Sequence, residues 1–186
     1  HDLFNLVCLP VIVIVNIWAI SIFFLHNSSR DTLELAWTIQ IGTLNSYIFA
    51  DTVWICCSPE SVSAFKTIVM HHFIVFFGWI LVPNQVVSFR PIATCLLSVE
   101  INTLFMIARK FQPLQTYPRI VSFLRIGFYA TWIPLRIVIF PFCCYLGYRE
   151  VINFYNDKGT LLNIATLGWT LLVVITALNA KWTFDL

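Results

Sequence analysis

Charge is what this sequence has least of. Lys, Arg, Asp and Glu make up 11% of its 186 residues, against about 25% in ordinary soluble domains. Apolar residues fill the gap, at 59% of the chain with a mean hydropathy of +0.84. A water-soluble core of this length has no use for such an excess, so a soluble globular fold is excluded before any single residue is considered. The net charge of +2 comes from scattered residues that form no basic stripe, which excludes a nucleic-acid partner. The six cysteines, Cys8, Cys56, Cys57, Cys95, Cys143 and Cys144, show neither CxxC spacing nor a cysteine-histidine ladder. No metal and no resident cofactor are therefore expected.

What is present in quantity is long apolar runs. Six reach the roughly 17 to 25 residues that a helix needs to cross a bilayer core of about 30 Å. They lie at about 3–26, 35–57, 67–89, 91–108, 126–148 and 161–182. The first has no basic segment before it and exceeds the apolar core of a signal peptide, so it reads as a retained span. Short connections rich in breakers, "HNSSRD", "CSPES", "RKFQPLQTYPR" and "YNDKG", separate most of them. The expectation is one all-α integral membrane domain over 1–186 with six transmembrane helices. An even number of spans puts both ends on one side, with Lys66, Arg109, Lys110, Arg119, Arg125 and Lys181. Arg30, Arg90, Arg149 and Lys158 fall on the other, and the excess favours a cytoplasmic side for the ends. In a mitochondrial inner membrane that side is the matrix.

A charge at mid-bilayer costs about 2.5 to 3.5 kcal/mol even on insertion scales, so each one needs a partner, a wet cavity or a function. The apolar runs hold five ionisable residues of this kind, Asp51, His71, His72, Glu100 and Arg136, with Arg109 at a span end. Counting along the helices places them between the side of the ends and mid-bilayer, which predicts a polar intramembrane cavity open to that side. Helical spacing groups Tyr47, Asp51 and Trp54 on one stripe, Glu100, Thr103 and Ile107 on a second, and Tyr129, Trp132 and Arg136 on a third. Adjacent histidines point about 100° apart on a helix, so one of the pair faces the cavity while the other packs against a neighbour. Two plainer readings stand beside this one: imidazoles near a span end that bond to headgroups, and a buried Glu100–Arg136 ion pair that fixes helix register.

The elements "SIFFLH" (21–26), "YIFADTVWI" (47–55), "HH" (71–72), "SVEINTLFMIAR" (98–109), "PLRIVIFP" (134–141) and "LNAKW" (178–182), in this order, resemble the TLC-domain membrane proteins. That family includes ceramide synthases and translocation-associated membrane proteins. The resemblance implies a TLC-type bundle in which spans two to six surround the cavity, and it marks Asp51, His71, His72, Glu100, Asn102, Thr103, Arg109 and Arg136. In ceramide synthases the histidine pair serves acyl transfer from a thioester to an amine. After its own pair this sequence continues "FIVFFGWILVPNQVVSFRP", without the serine-tyrosine, arginine-x-glycine and aspartates of that subgroup. It is therefore similar to the broader branch of the family.

Three functions follow as expectations. The first is binding or sensing of lipid in membrane lipid homeostasis, with membrane lipids as partners and Tyr47, Trp54, Glu100, Asn102, Thr103, Arg109, Tyr129, Trp132 and Arg136 around the ligand. The second is an acyl-CoA-dependent acyltransferase acting on a lipid amine or alcohol. There His71 or His72 is base or acyl carrier, Asp51 orients it, and acyl-CoA is a substrate rather than a cofactor. The third is a non-catalytic structural subunit of a larger membrane assembly. The resemblance implies the endoplasmic reticulum, with the mitochondrial inner membrane as the alternative.

Overall fold

The structure is a computed structural model that describes residues 1–25, 28–62 and 65–184. The described residues form helices and connections and no strand. The helices are α1 (Asp2–Ile20, continued by a π-helical turn Ser21–Leu25), α2 (Arg30–Cys57), α3 (Phe65–Gln85), α4 (Phe89–Leu96), α5 (Val99–Ala108), α6 (Pro118–Trp132), α7 (Phe140–Lys158) and α8 (Ile164–Phe184). A π-helical segment, Ile133–Ile139, joins α6 to α7 without a break. The His26 end of the first expected span lies outside the described residues.

Local sequence explains the ends. Ser29 is extended and its hydroxyl accepts the Thr32 N–H at 3.3 Å, which caps α2. Gly159 ends α7 at φ 70°, a left-handed position that a residue with a Cβ rarely adopts, and its N–H returns to the Tyr155 carbonyl at 2.7 Å. Between α3 and α4 the chain turns within three residues. Arg90 holds that turn, donating from Nε to the Pro83 carbonyl at 3.2 Å and from a terminal nitrogen to Glu34 at 2.6 Å.

Five stretches are long and apolar enough to cross a membrane: Asp2–Phe24, Phe65–Gln85, Phe89–Ala108, Pro118–Lys158 and Ile164–Lys181. α2 is long enough but too polar on average to join them, because Gln40 and Asp51 lie on its length and are buried inside the bundle. The run Pro118–Lys158 has 41 residues, about 60 Å at 1.5 Å per residue, roughly twice a bilayer core. The expected span 126–148 is its middle. The ends are charged and extend past it, with Arg119 at one and Arg149, Glu150, Asp157 and Lys158 at the other.

Helix neighbours close into a ring. α1 packs on α2, α2 on α3, α3 on α8, α8 on α7, and α5 on both α6 and α1, while α4 lies against α7 and α3. The core joins Trp37, Leu44 and Ile48 of α2 to Val82 of α3, Phe89 and Leu96 of α4, Cys143 of α7 and Leu172 and Ile175 of α8. Polarity is inverted relative to a soluble protein. Asn5, Asn16, Gln40, Asp51, Asn102 and Asn179 are buried, whereas Leu3, Ile14, Phe49, Phe123 and Ile126 are each more than 60% exposed. Such an outer surface suits hydrocarbon, and the buried amides need partners inside. They find them: the Asn16 and Gln40 amides meet at 2.5 Å, and Thr94 Oγ1 donates to Gln40 Oε1 at 2.8 Å.

Candidate functional site

One cavity of about 350 Å³ lies between α1, α2, α3, α5 and the π-helical segment. Asp51, His71, His72, Glu100 and Arg136 all line it, so residues up to 85 positions apart in the chain converge on one space. Ile48, Ile68, Val75, Met106 and Ile107 supply apolar walls.

The α2–α3 side is built around His72. Its Nδ1 is 2.9 Å from Thr52 Oγ1 and its Nε2 is 3.5 Å from Asp51 Oδ2. A ring that offers Nε2–H to the carboxylate accepts the Thr52 hydroxyl at Nδ1, so the two neighbours select one tautomer. The other Asp51 oxygen is 2.9 Å from His1 Nε2. His71 sits beside His72 with ring centroids 6.0 Å apart and tilted by 49°. Both rings line the cavity, which differs from the expectation that only one would. The chamber is wide enough to take in side chains 100° apart.

Across the cavity Arg136 is held in a fixed pose. Its Nε donates to Asn102 Oδ1 at 3.1 Å, and its terminal nitrogens donate to Thr103 Oγ1 at 3.5 Å and to Asn179 Oδ1. Its guanidinium lies 4.7 Å from the Trp132 ring centroid, and Trp132 is itself pinned by a bond from Nε1 to Thr183 Oγ1 at 3.1 Å. Asn102 is fully buried and donates at 3.0 Å to both the Phe128 carbonyl and Thr131 Oγ1. The π-helical segment changes the turn on which Arg136 sits, as such segments often do at functional positions.

The remaining sequence-derived residues divide. Tyr47 and Thr103 line the cavity. Asn102 and Trp132 stand behind Arg136 as supports. Trp54 is not in the lining: it is 45% exposed and stacks on Phe4 at 6.0 Å on the outer face of α2. Tyr129 is 48% exposed and also outside, because Phe128 and Trp132 take the inner face of α6. Arg109 lies 3.9 Å from the Phe128 ring centroid and clamps the end of α5 to α6 rather than reaching the cavity. α1 contributes lining residues and, among the described residues, α8 contributes none, so the enclosure by spans two to six is corrected. Asp2 and Asn5 enter with α1, where Asn5 Oδ1 accepts from Tyr47 Oη at 3.1 Å.

The TLC domain family model matches residues 5–186. The chain belongs to the TLC-domain family. It is an integral, multi-pass membrane protein, and the family ties it to membrane lipids. No curated protein and no solved structure matches it in the comparisons made. Within this TLC domain, sequence reasoning missed His1, Asp2, Asn5, Thr52, Lys110 and Asn179. Asn5 was visible as a lone amide in an apolar run, and Asn179 as part of "LNAKW". Lys110 stood in the sequence only as a charge on the side of the ends, and it lines the cavity.

Proposed function

We propose that this TLC domain binds a membrane lipid by its head group in the polar cavity and acts in membrane lipid homeostasis. The observation that carries the reading is the convergence of Asp51, His71, His72, Glu100 and Arg136 on one chamber with apolar walls. Both charge signs are present, so the chamber suits a head group that carries an anion together with hydrogen-bonding hydroxyl or amine groups. The family supports the endoplasmic reticulum as its membrane, with the mitochondrial inner membrane as the alternative. No cofactor is required. The test is delipidation followed by thermal unfolding: a bound lipid adds RT ln(1 + [L]/Kd) to stability. Melting should drop on delipidation and recover with one lipid class only. Unchanged melting, or equal recovery with every lipid, would sink the reading.

The pose of His72 favours acyl transfer as the second reading. Once the Thr52 hydroxyl yields His72 Nδ1, that nitrogen takes the proton of an amine or hydroxyl as that group bonds to a thioester carbonyl; the C–S bond breaks and the imidazolium returns the proton to the leaving sulfur, which releases the thiol of CoA. Asp51 stabilises the resulting imidazolium. Intact-mass measurement after exposure to a long-chain acyl-CoA tests the acyl-carrier form of this reaction, and turnover of acyl-CoA with a lipid amine tests the base form. Neither an adduct nor turnover that depends on His71 and His72 leaves the first reading alone.

A further inference from the structure

We propose that Cys56 and Cys57 are a site of S-acylation, each thiol taking a long-chain acyl group from acyl-CoA as a thioester at the membrane surface. The proposal does not depend on the head-group reading above. The six cysteines differ in access: Cys143 is buried, Cys8, Cys95 and Cys144 are partly covered, and Cys56 and Cys57 are both exposed. The exposed pair ends α2, and the chain turns at Ser58 into the short helical turn Pro59–Ser61. Phe49 and Val53 stand two turns and one turn before Cys57 and are 69% and 47% exposed. At spacings of three and four residues from Val53, Cys56 and Cys57 continue that membrane-facing stripe to its end. Past them the chain becomes polar, with Ser58, Glu60 and Lys66. The pair therefore stands where hydrocarbon gives way to head groups.

The side of the membrane fits as well. Phe4 of α1 stacks on Trp54 at 6.0 Å, and His1 Nε2 lies 2.9 Å from Asp51 Oδ1, so the end of α2 is level with the start of α1. The excess of Lys and Arg favours the cytoplasm for that side, where acyl-CoA is at hand. A cysteine beside a span suits reversible acylation because its thiol reaches the aqueous phase while the chain it receives enters the adjacent leaflet. The thiolate is the nucleophile. Its sulfur bonds to the thioester carbonyl, the C–S bond to CoA breaks, and the proton given up by the cysteine ends on the CoA thiol. One thioester replaces another, so no oxidant or reductant is needed, and a membrane S-acyltransferase supplies the catalysis. Two chains hold more firmly than one. They fasten the turn after α2 to the membrane, and Val62, the residue that follows this turn, lines the chamber.

The experiment uses the whole chain, expressed in eukaryotic cells fed an alkynyl C16 fatty acid and read on denaturing gels, which strip off lipid held without a covalent bond. The protein should carry label that neutral hydroxylamine removes, as it does from a thioester. Cys56→Ser with Cys57→Ser should lower the label at least tenfold, while Cys8→Ser with Cys95→Ser should leave it unchanged. None of these four residues lines the chamber. On protein from unfed cells, exchange of acyl groups for a maleimide-PEG tag should give slower bands that the first variant loses and the second keeps. Absence of hydroxylamine-sensitive label and of tagged bands would overturn the site. Label that survives the loss of both Cys56 and Cys57 would overturn it too, by placing the thioester elsewhere. Either failure leaves the head-group reading standing, because that reading needs no covalent bond.

Discussion

Asp51 Oδ2 lies 3.5 Å from Nε2 of His72, and Thr52 Oγ1 lies 2.9 Å from Nδ1 of the same ring. Two successive residues of α2 thus hold opposite edges of one imidazole on α3. The carboxylate is almost fully buried, so it depends on its ring partners for compensation. Thr52→Val should cost about 1 kcal/mol, one ordinary hydrogen bond. His72→Ala should cost more, about 1 to 3 kcal/mol, because it strips a partner from a buried acid. Unfolding of the detergent-solubilised protein measures both, and equal losses would contradict the asymmetry.

Asn102 supports Arg136. It accepts from the guanidinium and donates to the Phe128 carbonyl and Thr131, all from a fully buried position. Asn102→Leu keeps much of the volume and removes all three bonds. The expected cost is about 3 kcal/mol, and the double change with Arg136→Met should cost less than the sum of the two single changes, because both remove the same Asn102–Arg136 bond. Additive losses in that double-mutant cycle would show that the two residues do not act together.

Glu34 and Arg90 form an ion pair at 2.6 Å, but unequally: the Glu34 side chain is 46% exposed and that of Arg90 10%. Glu34→Gln should change stability by less than about 1 kcal/mol, as for other half-exposed pairs. Arg90→Met should cost about 1 to 3 kcal/mol, because it also frees the buried Pro83 carbonyl. The comparison is again by unfolding, and a larger effect from Glu34 would refute it.

Gly168 is a packing requirement. A Cβ there would stand 2.5 Å from Val82 Cγ1, so α8 meets α3 with no room for a methyl. Gly168→Ala should destabilise by about 1 to 3 kcal/mol, and Val82→Ala in the same chain should relieve much of that loss. Absence of relief would place the strain elsewhere.

The fold was legible because membrane helices must be long and apolar, and these runs say so directly. The cavity was legible because Asp51, His71, His72, Glu100 and Arg136 are costly where they stand. What failed was angle. On α2, with about 100° per residue, Trp54 lies about 20° to one side of Tyr47 and Asp51 about 40° to the other. The buried face centres near Leu44 and Ile55, beyond Asp51, so Tyr47 is at the edge and Trp54 outside it. An indole and a phenol are at home on either side of that edge, and no residue type marks it. On α6 the stripe Tyr129, Trp132 and Arg136 assumes a regular helix, but the turn holding Arg136 is π-helical. Local spacing carries no sign of that extra residue.

The most direct measurement is native mass spectrometry of the mildly solubilised protein beside Ile107→Trp, which fills the cavity and leaves every charged residue in place. The account expects the parent protein to carry one lipid mass that survives desolvation, and the variant to lose it while keeping its circular dichroism. A folded parent that flies free of lipid, or a variant that keeps the same lipid, would contradict a head group held in the chamber of Asp51, His71, His72, Glu100 and Arg136.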